Sequence, residues 1–588
     1  MNTIIKKIYM LPLAVSAFLL SGCMDNVEPT SYATKEQINS NSKSFDMLVN
    51  GLKSKMMELR TYGSEAGSAA EATGDWGYPC FMLWRDETLD GMPSTGTSWN
   101  YQYTLEAATN LSYYTVYPYY YYYSFISNTN SILKGMDEDA ASESVKQSLA
   151  RVHAYRALCY MQLSMMFEFY KTGIDDLDAK AKSVLGLTVP ISTENTTADE
   201  SKNNPRAPFY KMYRFIYRDL SLAEEYIGRY SRSEKNDINA DVINGLLARF
   251  WLNLGTRFER NPADLATQLE HENDADGFKA LGITSALDCY RKAGEYAESV
   301  INAGYTPVTE QQWHDATTGF NTANSAWVWS IRYSSTEQAA YSWCSITGLF
   351  ASEPTWAMPA YGDEYRCISK ALYDQIGDGD WRKTTWVAPE DAGAVVAPTV
   401  KYNTVLKDST ADTKKDKTAW CRLPAYANLK FRSGSGNMES EEVGLLVDLP
   451  LMRVEEMYFI QMEAALHTAG LAQAKMLLES FLNTYRYAVN KEYVSTATTN
   501  REFIYEMIGQ KYIEFWGEDV LYADYKRLGL KVDRTQEDTN YLSSYRMHSR
   551  EGYAAPWMNF YIPSMERDFN KAIVMNPDPV SYIATYCK

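Results

Sequence analysis

The sequence predicts a mostly α fold, with tetratricopeptide-like helix pairs packed against a loop-rich region holding few short strands. Three patterns carry this prediction. In the first half, apolar and small residues recur at helical spacing, as in Ala150, Ala154, Leu158, Met161 and Met165. The stretch 305–450 loses that period, with short apolar runs and frequent Gly, Pro, Thr and Asp. Helical patterning returns at 452–467, 471–485 and 501–515.

The first element in the chain stands apart from the body. Lys6 and Lys7 precede an apolar run, residues 8–20, which ends in Leu20-Ser21-Gly22-Cys23. The run is too short for a mature bilayer span, which needs about 20 residues. Residues 1–22 therefore read as a removed signal peptide. Its last residues with Cys23 resemble a bacterial lipobox, which implies cleavage before Cys23 and lipid on its sulfur and new amino terminus. Acyl chains, at about 0.8 kcal/mol per buried CH₂, anchor such a chain stably. Residues 23–33 are polar and form the lipidated tether.

Residues 34–304 are the helical repeat region. Ile38, Phe45, Leu48 and Leu52 mark a helix over 34–59. An insertion at 61–100 is punctuated by glycines and prolines and predicts loop. The tyrosine run 113–123 continues into Ile126, Asn130 and Leu133, with its rings spent on helix packing. Helices follow over 142–170, 208–229, 239–255 and 286–303, with Gly255 and Gly304 as stops and an extended piece ending at Pro190. Small residues alternate with large ones on these stripes, which permits close helix pairs without a clean 34-residue period. Insertions at 171–207 and 256–283 also break the array. Residues 305–588 form a loop-rich C-terminal region with returning helices over 452–515, packed on the first region into one body. Trp327, Trp329 and Trp516 sit in apolar patterns and are expected in the core.

Net charge is −17, or −19 once residues 1–22 with Lys6 and Lys7 are removed. An acidic surface repels phosphate backbones and argues against nucleic acid as a partner. Forty-six tyrosines and fourteen tryptophans point instead to wet binding surfaces, because each ring carries a polar handle. Beyond Cys23, seven scattered cysteines form no C-x-x-C pair, and Cys159 and Cys289 fall on helical stripes as buried thiols.

Catalytic constellations are not visible. The five histidines are far apart, with His153 and His467 expected to pack within helices. No H-E-x-x-H, Walker loop, G-x-G-x-x-G or G-x-S-x-G occurs. Glu272, Asp274 and Asp276 mimic the start of a calcium loop, but Ile283 stands where a bidentate Glu is needed. Asp374, Asp378 and Asp380 form a second acidic cluster that reads as solvated loop. No pair of carboxylates stands out for glycoside hydrolysis. The sequence therefore predicts no enzyme, no cofactor and no metal.

Binding fits better. A sugar ring offers a flat C–H face to Trp or Tyr and a rim of hydroxyls to Asn, Asp, Glu and Arg. Affinities between millimolar and micromolar, about 4–8 kcal/mol, suit a protein that captures and releases. Aromatics in Gly-rich loops on a rigid scaffold are the candidates. Trp76, Trp84, Trp99 with Asn100, Trp343, Trp356 and Tyr361 meet that description.

Several motifs then carry a family resemblance. Ala150-Arg151-Val152-His153-Ala154-Tyr155-Arg156-Ala157 leads to Phe167-Glu168-Phe169-Tyr170. Thr188-Val189-Pro190, Asp219-Leu220 with Ala223, and Leu246-Leu247-Ala248-Arg249 follow. Later come Pro450-Leu451-Met452-Arg453, Glu463-Ala464, Phe515-Trp516-Gly517, Asp524-Tyr525-Lys526-Arg527 and Ile562-Pro563. In order and spacing the chain resembles the SusD/RagB family of outer-membrane nutrient-binding lipoproteins over nearly its whole length. It lacks the family's arginine after the glycine, and its Gly517 to Asp524 spacing is longer, which marks a divergent member and leaves the ligand type open. Read bottom-up, Arg151, Arg156, Arg249 and Arg453 lie beside apolar stripes and satisfy buried carboxylates and carbonyls.

The resemblance implies a SusD-like fold and a surface lipoprotein on the outer membrane. It further implies capture of an oligosaccharide and its delivery to a SusC-like, TonB-dependent transporter. Alternatives stay open: a receptor for peptides or another nutrient, an adaptor without its own ligand, or a surface glycosidase.

Overall fold

The structure is a computed structural model that describes residues 42–57, 78–97, 113–335, 346–354, 356–359, 364–392, 402 and 423–588. The leader 1–22, Cys23 and the tether 23–33 lie outside the described residues. Helix α1 (Ser42–Met56) buries Phe45, Val49 and Leu52, at the expected four- and three-residue spacing. The insertion 61–100 is not all loop, for it contains α2 (Tyr78–Glu87), whose residues are buried on every side. That all-round burial is why no amphipathic stripe betrayed it. Helix α3 (Tyr113–Leu133) accommodates Pro118, and Tyr119, Tyr121, Tyr122 and Phe125 go into the core as expected.

The scaffold is a run of paired helices. Helix α4 (Glu143–Phe167) packs on α5 (Phe209–Ile227), with the antiparallel strands β1 (Leu187–Pro190) and β2 (Arg206–Pro208) between them in sequence. Helix α6 (Ala240–Arg260) packs on α7 (Ala286–Ile301). Asn239 caps α6, and Ser285 with Asp288 forms a capping box on α7. Gly255 does not stop α6 as the sequence reading expects. A Cβ there would come within 2.9 Å of the Tyr290 ring. The missing side chain lets α7 approach, so this glycine serves packing rather than termination.

From α7 the array crosses into the C-terminal half. Strand β3 (Trp327–Arg332) pairs antiparallel with β4 (Asp448–Arg453). Helix α8 (Val454–Thr468) packs on α7 and on α9 (Leu471–Tyr485). Helices α10 (Asn500–Phe515) and α11 (Leu521–Leu528) complete the set. One apolar cluster runs from Phe45 to Cys587 and takes in Trp327, Trp329 and Trp516, all fully buried as expected.

The arginines do what their stripes suggested. Arg156 clamps Asp219 with two bonds of 2.6 and 2.8 Å, and Arg249 clamps Glu456 with bonds of 2.7 and 2.6 Å. Arg151 meets Asp237 at 3.2 Å. His153 sits buried between Asp219 and Glu138, and His467 stacks on Tyr290 with ring centroids 3.8 Å apart. Cys159 and Cys289 are buried free thiols.

Candidate functional site

In the loop-rich half an open groove of about 660 Å³ lies between the segment 373–390 and the end of α9. Trp381, Tyr485 and Tyr487 supply its half-buried rings, the buried Tyr373 also lines it, and Glu310, Asp378, Lys383, Thr384 and Glu390 supply polar groups. That mixture of ring faces and hydroxyl- or carboxylate-bearing edges is what an oligosaccharide needs.

The rings are held rigidly. The Trp381 indole N–H donates to the Tyr485 carbonyl at 3.0 Å. The Arg486 guanidinium lies 5.2 Å from the Trp381 ring centroid, and Trp313 meets that ring edge-on at 5.4 Å. Tyr487 packs against Gly377, where a Cβ would lie 2.8 Å from its hydroxyl, and Gly379 gives room to Lys491 beside the same ring. Burial pushes the Tyr487 phenol up to about 12, so it stays protonated at neutral pH.

Beneath the groove is a buried ionic network. Arg382 bonds Asp380 at 2.6 Å and Glu514 at 3.0 Å. Glu514 also receives Arg453 at 3.0 Å and Arg486 at 2.7 Å. Glu455 and Glu518 complete the pairing with Arg453, Arg486 and Lys430. Burial alone would raise the Glu514 carboxyl, but Arg486 and Arg453 outweigh it and hold it well below the usual range. Burial pulls Lys430 down to about 8 against the attraction of Glu518. Through Arg382 the network ties the segment around Trp381 to α10 and β4, so the groove stands on the core. Next to it, His314 is pulled down to about 4, chiefly by burial, and its ring nitrogen lies 3.2 Å from the Thr384 hydroxyl.

The sequence candidates fare differently. Trp76, Trp99, Asn100, Trp343 and Tyr361 lie outside the described residues. Trp84 and Trp356 are described, and neither is an exposed platform. Trp84 is 8% exposed on α2 and packs on Phe81 at 5.3 Å, because α2 is enclosed by the core. Trp356 is 7% exposed and covers Gly444, where a Cβ would sit 2.2 Å from its ring. Trp84 pins helix α2 into the core, and Trp356 pins its segment against Gly444. The groove rings were missed, although Gly377-Asp378-Gly379-Asp380-Trp381 carries the same signal of an aromatic in a Gly-rich loop.

The acidic clusters are spent on pairing. Asp374 meets Lys370 at 2.6 Å and Asp378 meets Lys383 at 3.3 Å. Asp276 clamps Arg214, Asp274 pairs with His271, and Glu272 accepts the Gly282 N–H. Among the described residues no group of three or more His, Cys, Asp or Glu side chains is placed to hold a metal ion. Among the same residues no helix is long and apolar enough to cross a membrane.

Comparison with known proteins completes the picture. A family model described as starch-binding and associating with the outer membrane matches residues 84–252, and the SusD family model matches residues 291–582. A search of curated proteins finds no match. Among solved structures, the chain is similar to a SusD-like carbohydrate binding protein from Bacteroides vulgatus. Identity is 19%, 91% of this chain and 97% of that one are covered, and the TM-score is 0.63. A SusD superfamily protein from Bacteroides thetaiotaomicron is similar at 16% identity, with 91% and 100% covered and a TM-score of 0.60. A third, from Parabacteroides distasonis, has 16% identity, 91% and 98% coverage and a TM-score of 0.59. At these identities the likeness shows a shared fold.

Proposed function

The chain belongs to the SusD/RagB family, and from that membership we propose that it is a cell-surface, lipid-anchored protein that captures oligosaccharides. Lipid on Cys23 would hold it on the outer membrane, and the captured sugar would pass to a SusC-like, TonB-dependent transporter. The observation that carries the binding role is the groove of the half-buried Trp381, Tyr485 and Tyr487, open to solvent and rimmed by Asp378, Lys383 and Glu390. Pre-positioned rings lose little freedom on binding, which suits weak, reversible capture. Trp76, Trp99, Asn100, Trp343 and Tyr361 stay candidates for sugar contact on sequence grounds. No covalent step is needed for this role.

The test is a neutral-glycan array probed with the full-length chain in detergent, repeated with Trp381→Ala. A glycan signal lost in the variant supports the reading, and an array with no neutral glycan bound sinks it. Delivery is tested separately by deleting the protein and measuring glycan uptake and co-purified transporter. Unchanged uptake with no co-purified barrel contradicts delivery. Product analysis after incubation with the bound glycan separates capture from hydrolysis, because a binding protein releases no new reducing ends.

A further inference from the structure

A second groove, of about 600 Å³, opens in the helical half, far along the chain from the first. The segment after α4 (Glu168 to Lys171), the end of α6 with Arg257, Arg260 and Asn261, α11 with Lys526 and Arg527, and residues 552–554 line it. Its wall holds five cations, Lys171, Arg257, Arg260, Lys526 and Arg527, against two carboxylates, Glu168 and Asp264. That balance stands out on a chain of net charge −17.

The two carboxylates are both engaged by one cation. Arg257 bonds Glu168 at 2.7 Å and Asp264 at 2.8 Å. Arg527 is spent on Glu463 and on Asp524, the latter at 2.7 Å. The other three cations form no ion pair among the described residues. The buried Lys526 ammonium donates to the carbonyls of Met165, Glu168 and Met558 at 2.6, 2.9 and 2.8 Å. Burial pulls it down to about 7, with Glu168 acting the other way. The exposed Arg260 is aimed by two main-chain carbonyls, those of Arg527 and Gly552, the latter at 2.7 Å. Those bonds fix the guanidinium while leaving three of its five N–H donors open. The exposed Lys171 side chain forms no ion pair among the described residues. Tyr553, 41% exposed, lies at the same mouth and packs against Gly173, where a Cβ would be 2.8 Å from its ring.

We propose that this groove binds the carboxylate or sulfate of an acidic saccharide, with Arg260 and Lys171 meeting the anion and Tyr553 meeting a ring face. The anion would supply the countercharge that the fold leaves out, and the oriented guanidinium suits a planar carboxylate or a sulfate edge. The saccharide half of the proposal rests on the family reading above, while the anion half rests on the groove. The site is separate from the Trp381 groove and gives the protein a second subsite of opposite chemistry.

The experiment is calorimetry on the full-length chain in detergent with three probes: trigalacturonate, 6′-sulfated lactose and neutral galactotriose. Each is run at about 50 and about 300 mM NaCl, since screening shortens the reach of exposed charge. The expected result is binding of at least one anionic probe, weakened by salt, with neutral galactotriose unaffected by changes at this groove. Which anionic probe binds identifies carboxylate or sulfate as the ligand group. Arg260→Ala with Lys171→Ala should weaken the anionic probe by about tenfold or more, the loss of a charge-assisted bond. Lys171→Ala alone removes no ion pair and serves as the variant whose folding is not at issue. Trp381→Ala should leave anionic binding unchanged. The proposal is overturned if neither anionic probe binds, if galactotriose binds this groove equally well, or if the variants bind as the parent does. Neutral glycans held at the Trp381 groove with both anionic probes ignored would sink this proposal alone. Anionic binding with an empty neutral array would sink the Trp381 reading alone.

Discussion

The two grooves are nearly the same size, about 660 and 600 Å³, yet they are built from different materials. The one in the loop-rich half is walled by rings and rests on a balanced buried network, in which four cations face four carboxylates (Asp380, Glu455, Glu514 and Glu518). The one in the helical half is walled by guanidinium and ammonium groups, three of them without an ion pair among the described residues. Volume therefore says little about ligand. In the first, charge is neutralised below the surface so that ring faces are left to do the binding. In the second, Arg260 and Lys171 lie exposed without an ion pair among the described residues, where an incoming anion can meet them.

The contrast depends most on the network. Glu514→Ala removes the carboxylate shared by Arg382, Arg453 and Arg486, leaving buried cations uncompensated. We expect about 3–5 kcal/mol of lost stability, read as a lower urea midpoint. An unchanged midpoint would mean that the aromatic groove does not rest on this network.

Acid should act next. His314 titrates near 4 when folded, against an ordinary value of about 6.5. Between those values the unfolded chain binds the extra proton, so stability present above pH ~6.5 falls as the pH drops toward ~4, by about 3 kcal/mol from this residue. The difference between parent and His314→Asn across that window isolates the effect from carboxylates elsewhere. A flat difference would refute the half-buried, neutral imidazole beside Thr384.

Ring loss is smaller. Trp381→Ala should weaken a neutral glycan by about tenfold while leaving anionic probes alone. Equal losses for both would show that the grooves are not independent. Smallest is Gly377→Ala, whose added Cβ would lie 2.8 Å from the Tyr487 hydroxyl. Tilting that ring should cost neutral-glycan affinity by about 1 kcal/mol or less, with unfolding free energy from urea titration changed by no more than about 1 kcal/mol.

Part of the scaffold was legible because helices such as α5 and α7 have one buried stripe each. Helix α5 is the clear case, with Met212, Ile216, Leu220, Ala223 and Ile227 on one side. Helix α2 was not legible, since a segment enclosed on all sides has no periodic contrast. Gly255 was read as a stop because the sequence shows a glycine near a pattern's end. It does not show that Tyr290 is waiting across the gap.

The site was less legible than the scaffold for a related reason. Loop composition marks where aromatics are concentrated, and that rule finds Trp381 as readily as Trp84 or Trp356. Exposure is set by partners distant in the chain: Gly444 takes in Trp356, whereas Arg486 and the Tyr485 carbonyl leave Trp381 at a groove edge.

Periodicity, the lipobox-like leader and the ordered motifs were enough for the class of fold and the family, since each is a local property of the chain. Which rings face solvent, which glycines admit a neighbour and which cations go without an acid were decided by folding. Those outcomes depend on side chains brought together from up to hundreds of residues apart, as when Arg260 meets the Gly552 carbonyl, and no local pattern encodes such meetings.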